Sequence, residues 1–148
     1  TTAPAEQPPP GPEHGSHMDF FPTGSDVGYH TAIEYRFVRG GFMEIGPATV
    51  WIRMGHPLVE GEQASPLQQV LAAADSGNGV SAALDYRRYV FINTELSVHL
   101  LRYPEGEWVC LDAVTTPTAA GVGLTETVLW DQRGRIGRAA QALLVRAR

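Results

Sequence analysis

A chain of 148 residues has room for one domain with a sizeable core but not for two, because a domain of this size buries roughly two-thirds of the surface its unfolded chain exposes. With 43% apolar and 18% charged residues, and no apolar run near the roughly 20 residues that cross a bilayer, the composition is that of a soluble globular protein with no membrane span. The formal net charge of -5 speaks against a nucleic-acid partner, since binding a phosphate backbone requires a concentrated basic face.

Six of the 11 prolines fall within residues 1–22, among small and polar neighbours, which is the composition of an extended linker. The opening TTAPAEQPPPGP has neither the basic n-region nor the apolar h-region of a secretory signal, so the expected compartment is cytoplasmic. Residues 1–28 therefore read as a proline-rich linker with few buried contacts, and residues 29–148 as the folded domain. A chain that opens on a linker also points to a domain that once preceded it, which would make this one the C-terminal half of a longer molecule.

From Thr31 onward Ile33, Tyr35 and Phe37 alternate with Glu34 and Arg36, the period of a half-buried strand, and Gly40-Gly41 ends it. A second strand is predicted over 48–55, with Val50, Ile52 and Met54 on one face and Trp51 and Arg53 on the other; Pro57 closes it. Ser65-Pro66-Leu67-Gln68 is a capping box with proline at the first helical position, so a helix starts at Ser65. Leu67, Val70, Leu71 and Ala74 keep the spacing of an apolar stripe, and Ala72, Ala73 and Ala74 are small enough for a sheet to approach. Gly77 and Gly79 are expected to weaken or end that helix.

Four strand-like stretches follow, over 88–102, 107–117, 122–131 and 135–146, with turn-like separators such as Pro104-Glu105-Gly106. The last, RIGRAAQALLVR, carries alanines that also suit a helix. The alternation that puts Gly137, Ala139, Leu143 and Val145 on one face decides for a strand. Two strands, one capped helix and a run of antiparallel strands make an α+β plan, a curved sheet wrapped around a central helix. This is the element order of the hotdog fold.

Three polar positions stand out from their surroundings. Asp75 lies four residues after Leu71 and eight after Leu67, so a helix sets its carboxylate on or beside the predicted buried stripe. Either it serves chemistry, as desolvated acids often do, or it caps the helix end and bonds to Ser76 and Asn78 in the next turn. Gln141 faces inward with Gly137, Ala139, Leu143 and Val145, and a buried amide is costly unless paired. In YVFINTELSVHL one of the adjacent Asn93 and Thr94 must also face the core. Structural bonding between strands and the holding of a water are both open to these groups. An acid, an amide and a short polar side chain suit water activation better than covalent catalysis.

Other constellations are thinner. The five histidines, His14, His17, His30, His56 and His99, show no metal-type pairing, and no metal or other cofactor is expected. There is no G-x-S-x-G elbow, phosphate loop or dinucleotide fingerprint. Cys110, the single cysteine, falls inside a predicted strand, where an inert buried thiol is the expectation.

Residues 65–148 resemble the C-terminal hotdog of the acyl-CoA thioesterase II family, whose members carry two hotdogs in one chain. The segments that carry the resemblance are AAADSGNG, FINTELSVHLLRYPEGEWVCLDAVT and GRIGRAAQALLV. In that family an Asp on the hotdog helix, a Thr or similar residue on the next strand and a Gln on the last strand bind and activate the hydrolytic water. Asp75 and Gln141 match the first and third; the middle position falls on Asn93 with Thr94 adjacent, so the family Thr is replaced or shifted by one.

The resemblance implies an enzyme of fatty acid metabolism that hydrolyses fatty acyl-CoA to the free acid and coenzyme A. Asp75 would act as general base, with Gln141 and Asn93 positioning the water. It also implies pairing with a second hotdog, either another copy or a missing N-terminal half. A non-catalytic hotdog serving as a pairing or acyl-binding module is the alternative. All 11 basic residues are Arg, five of them in the last sixteen positions. These form a solvated face in the plainer reading, although the guanidinium's fit to phosphate also suits a coenzyme A tail.

Overall fold

The structure, a computed structural model, describes residues 6–148. After a 3-10 turn at Pro12–His14, the chain forms α1 (Tyr29–Ala32), β1 (Ile33–Arg39), β2 (Ala48–Met54), α2 (Pro66–Ala74) and α3 (Gly77–Val80). It continues through β3 (Tyr89–Asn93), β4 (Ser97–Leu100), β5 (Val109–Pro117), β6 (Val122–Asp131) and β7 (Gly134–Ala147). Every strand pairing is antiparallel, in the order β1-β2-β5-β6-β7-β3, with β4 also on β7. The expected α+β plan holds. No helix among the described residues is long and apolar enough to cross a membrane.

One face of the sheet carries the core. Tyr35 and Phe37 of β1, Val50 and Ile52 of β2, Leu111 of β5 and Leu129 of β6 pack against Val70, Ala73 and Ala74 of α2. Each large aliphatic side chain buried in this way contributes about 1.5–3 kcal/mol. The capping box forms as expected, with Ser65 Oγ accepting from Gln68 N at 3.2 Å and Gln68 Oε1 from Ser65 N at 2.8 Å.

The structure corrects four expectations. The apolar stripe of α2 runs through Val70, Ala73 and Ala74 and on to Gly77, which leaves Leu71 and Asp75 exposed on a flank. The rotation of the helix follows from Gly77, whose close seat against the sheet has no room for a side chain. The helix does close at Ala74, just before the glycines, but they do not stop the chain's helical path, because a further turn, α3, begins at Gly77 itself. The stretch 88–102 is two strands rather than one. At the break Glu95 Oε1 accepts the Ala142 N–H at 3.2 Å, taking over the backbone partner's place, so the edge bulges before β4 resumes.

The fourth correction concerns the N-terminal segment, which packs. Trp51, on the strand face opposite Val50 and Ile52 as the alternation predicts, is buried there with Cys110 and Trp130, and its indole N–H donates to the Pro10 carbonyl at 2.6 Å. Ser16 pairs with Phe37 through two backbone bonds of 2.8 and 2.9 Å, so it covers the outer edge of β1. Phe20 stacks among Phe21, His30 and Phe42. Prolines keep the segment extended, and the Trp51 ring gives it a surface to lie on. Burial pushes the Cys110 thiol far above its ordinary value, as suits an inert core group.

Deleting residues 1–17 is therefore expected to remove about 3 kcal/mol of stability, from the Trp51 bond, the Ser16 pair and the buried Pro12, and to lower the melting temperature by about 10 °C. A thermal unfolding curve that coincides with that of the full chain would show that the segment holds nothing.

Candidate active site

The site is built on the backbone bonds that the end of α2 lacks. A helix leaves its last carbonyls without intrahelical partners, and each must find another donor. At this end Ser76 N donates to Ala73 O at 2.9 Å, a shortened 3-10 closure that leaves the Ala72 carbonyl free. Tyr29 fills the vacancy by donating its hydroxyl to Ala72 O at 2.9 Å, and the same oxygen meets Ser76 Oγ at 2.9 Å. The carbonyl of Asp75 receives Gln141 Nε2 at 3.1 Å, and Gln141 Oε1 accepts the Asn78 N–H at 3.0 Å.

Gln141 points into the core on β7 and is almost wholly buried, as its place in the alternation predicted. Its amide is paired at both ends and staples the α2–α3 junction to the sheet. A Cβ on Gly77 would lie 2.8 Å from Gln141 Oε1 and 2.9 Å from Thr127 Oγ1, so only glycine allows the junction to sit this close. The floor beneath α3 is polar as well. Ser81 Oγ donates to Gly77 O at 2.8 Å and meets Thr115 Oγ1 at 2.8 Å, which in turn meets Thr125 Oγ1 at 2.7 Å.

The Asp75 side chain leaves this staple in the other direction. It is exposed in the isolated chain, and its Oδ1 accepts Asn93 Nδ2 at 2.9 Å from β3, the edge strand. Asp75, Asn93 and Gln141 thus meet from helix, edge strand and last strand. Thr94, the neighbouring candidate, instead donates its hydroxyl to Ala142 O at 3.1 Å. Ser76 is bound to Tyr29, and Asn78 contributes its backbone N–H.

Sequence reasoning missed Tyr29, Ser81, Thr115, Thr125 and Thr127. Burial pushes the Tyr29 phenol above its ordinary range; bonds with Ser76 and Tyr35 lower it in part, and the nearby Asp75 carboxylate adds to the rise. Nothing local in the sequence marks Tyr29. The threonines did leave a signal, because on β6 the inward positions are Gly123, Thr125 and Thr127 while Val122 and Leu124 face out.

The family described as acyl-CoA thioesterase C-terminal domain matches residues 4–145. A search of curated proteins returned no match. A hotdog-fold protein of unknown function from Alicyclobacillus acidocaldarius superposes with a TM-score of 0.68 at 14% identity, covering 100% of this chain and 57% of that one. An acyl-CoA thioesterase II from Mycobacterium marinum gives 0.57 at 18% identity, covering 91% and 57%. A thioesterase family protein from Silicibacter pomeroyi gives 0.56 at 16% identity, covering 77% and 85%. The fold is the hotdog, and the chain spans little more than half the length of the first two structures.

Two substitutions test the staple. Gln141→Leu keeps the volume but leaves the Asn78 N–H and the Asp75 carbonyl unpaired, at an expected cost of about 2–4 kcal/mol. Gly77→Ala forces a methyl against Gln141 and Thr127 and is expected to cost about 1–3 kcal/mol. Urea unfolding midpoints read both; a midpoint unmoved by Gln141→Leu would mean that the amide holds nothing in place.

Proposed function

Because the chain belongs to the acyl-CoA thioesterase C-terminal domain family, we propose that it hydrolyses fatty acyl-CoA to the free fatty acid and coenzyme A through a water activated by Asp75. The observation that carries this reading is the 2.9 Å bond from Asn93 to Asp75, made at a helix end that Gln141 holds from below. One carboxylate oxygen is oriented by that bond. The other accepts no hydrogen bond among the described residues and is open to a water.

In the proposed step Asp75 takes a proton from the water as its oxygen bonds to the thioester carbonyl carbon. The tetrahedral intermediate then collapses, the carbon–sulfur bond breaks, and the departing sulfur takes the proton back from Asp75, which leaves the carboxylate ready for the next turnover. Asn93 orients the base and the water. Gln141 fixes the backbone of Asp75 and has a second amide hydrogen to offer the same water.

The reading extends to a second hotdog. The outer side of β3 has no strand partner among the described residues, whereas the opposite edge at β1 is covered by Ser16. Leu71 on the helix and Ile92 on the edge strand are exposed. An open edge beside exposed apolar side chains favours pairing with another copy or with a preceding hotdog, which would put Asp75 at the seam. The alternative is a non-catalytic pairing or acyl-binding module. It draws on the two bonds, to the Asp75 carbonyl and from the Asn78 N–H, that the Gln141 amide already makes inside the protein.

Asp75→Asn is expected to keep the melting temperature and lower turnover by about 10²–10⁴. Full coenzyme A release by the purified variant would remove Asp75 as the base. Sedimentation at low micromolar concentration, with activity measured on the same samples, is expected to find activity only in the paired species. A monomer hydrolysing acyl-CoA at an undiminished rate would sink the seam.

A further inference from the structure

The proposed base sits where two short helices meet. At nine and four residues, α2 and α3 are too short to hold their shape alone, so the position of Asp75 at their junction depends on contacts from outside. Gln141 supplies one of these from below, through the Asp75 carbonyl. Tyr29 supplies another from the flank. Its hydroxyl hydrogen goes to the Ala72 carbonyl at 2.9 Å, so in its second contact, also of 2.9 Å, the Ser76 hydroxyl donates to the phenol oxygen. Ala72 precedes Asp75 by one turn of helix and Ser76 follows it directly. One oxygen atom therefore holds the chain on both sides of the base.

Tyr29 is itself placed by the segment before it. It opens α1, whose single turn closes as the Thr31 and Ala32 N–H groups donate to the Gly28 carbonyl at 3.0 and 3.2 Å. The Ala32 carbonyl accepts the Gly55 N–H at 2.7 Å, which ties that turn to the end of β2. The residue after Tyr29, His30, stacks on Phe20 with ring centroids 5.5 Å apart. Phe20 also meets Phe42 at 4.5 Å, and Phe42 is buried against Tyr35 and Phe37 of β1. Upstream, Pro10 on Trp51 and Ser16 on Phe37 fix the same segment. A run of packed groups thus leads from the N-terminal segment through Phe20, His30 and Tyr29 to the turn that carries Asp75.

We propose that Tyr29 is a positioning residue for Asp75 and that the N-terminal segment governs the base through it; the inference rests on the thioesterase reading and adds what regulates its site. Tyr29 is 48% exposed, so when its hydroxyl is removed water takes the Ala72 carbonyl and little stability is lost. Water fixes no direction, however. The junction then samples more than one rotation, and the carboxylate spends less of its time aligned by Asn93. A contact that only held the fold together would do the opposite, lowering the melting temperature and leaving turnover of the folded protein unchanged. Loosening Phe20 frees α1 and reaches the same turn by the same route.

The test is a double-mutant cycle on coenzyme A release by the full chain, with Tyr29→Phe, Phe20→Leu and the two together. Tyr103→Phe, at an exposed tyrosine in the connection after β4, is the control. Tyr29→Phe is expected to lower kcat about tenfold and Phe20→Leu about threefold, with KM unchanged in both and the melting temperature of Tyr29→Phe nearly so. The double variant is expected to lose no more than Tyr29→Phe alone, because both changes act on one link. A kcat unmoved by Tyr29→Phe, an effect confined to KM, an equal loss in the control, or single losses that multiply in the double variant would overturn the proposal. Amide hydrogen exchange on the same proteins does not depend on turnover. The Ser76 and Asn78 amides are expected to exchange about tenfold faster in Tyr29→Phe and in Phe20→Leu, and no faster in Tyr103→Phe. Unchanged exchange in Tyr29→Phe would sink the link whatever the kinetics. A wild type that releases no coenzyme A while exchange responds as expected refutes hydrolysis and leaves the link to the Asp75 turn standing.

Discussion

A buried amide must be paired at both ends, and in this protein that requirement on Gln141 fixes where everything else in the site can be. Its Nε2 and Oε1 take up the Asp75 carbonyl and the Asn78 N–H, so the junction of α2 and α3 can take one height and one rotation over the sheet. Gly77 makes that height reachable, because any Cβ would strike the amide that does the holding. Once the junction is seated, the Asp75 side chain has one way out, along the flank toward β3, and Asn93 is there to meet it. The carboxylate's position is thus a consequence of a bond that the carboxylate does not make.

The same constraint explains an inversion on β6 and β7. Strands of a hotdog bury one face against the helix, and an ordinary pattern would set apolar residues there. In this chain Thr125, Thr127 and Gln141 are buried, while Val122, Leu124 and Leu144 are exposed on the outer face. The polar floor is affordable because each hydroxyl in the chain from Ser81 through Thr115 to Thr125 has a neighbour within 2.8 Å. A helix end rich in unpaired backbone groups needs polar partners beneath it, which Leu or Val at these positions could not supply.

What was legible in the sequence was local. The capping box at Ser65, the alternation of β1 and the inward place of Gln141 on β7 depend on residues within a few positions of one another, and each appears in the structure as read. The rotation of α2 was misread because Val70 and Ala74 fit a stripe completed by Leu67 and Leu71 as well as one completed by Ala73 and Gly77, and the choice between them is made by Gly77 against Thr127 and Gln141, far along the chain. The packing of the N-terminal segment on Trp51 was missed for a related reason. Alternation says which side of a strand a residue takes but not whether a distant segment covers that side, and the Pro10 carbonyl has no local signature. Tyr29 is the extreme case, since it completes the hydrogen bonding of a helix that begins 37 residues later at Pro66.

These contacts also bear on why a lone hotdog is an incomplete setting for the proposed chemistry. Hydrolysis by an activated water requires one ordered water and the exclusion of the rest, so the base has to be walled as well as aimed. The chain supplies a floor through Gln141 and the threonines, one wall through Asn93 and a brace through Tyr29, yet Asp75 and Leu71 remain open to solvent. The open side coincides with the unpaired edge of β3, while the other edge is closed by Ser16. On the proposed reading these facts have a single cause. The N-terminal segment blocks pairing where it would be idle and leaves free the edge whose occupation would complete the wall around Asp75.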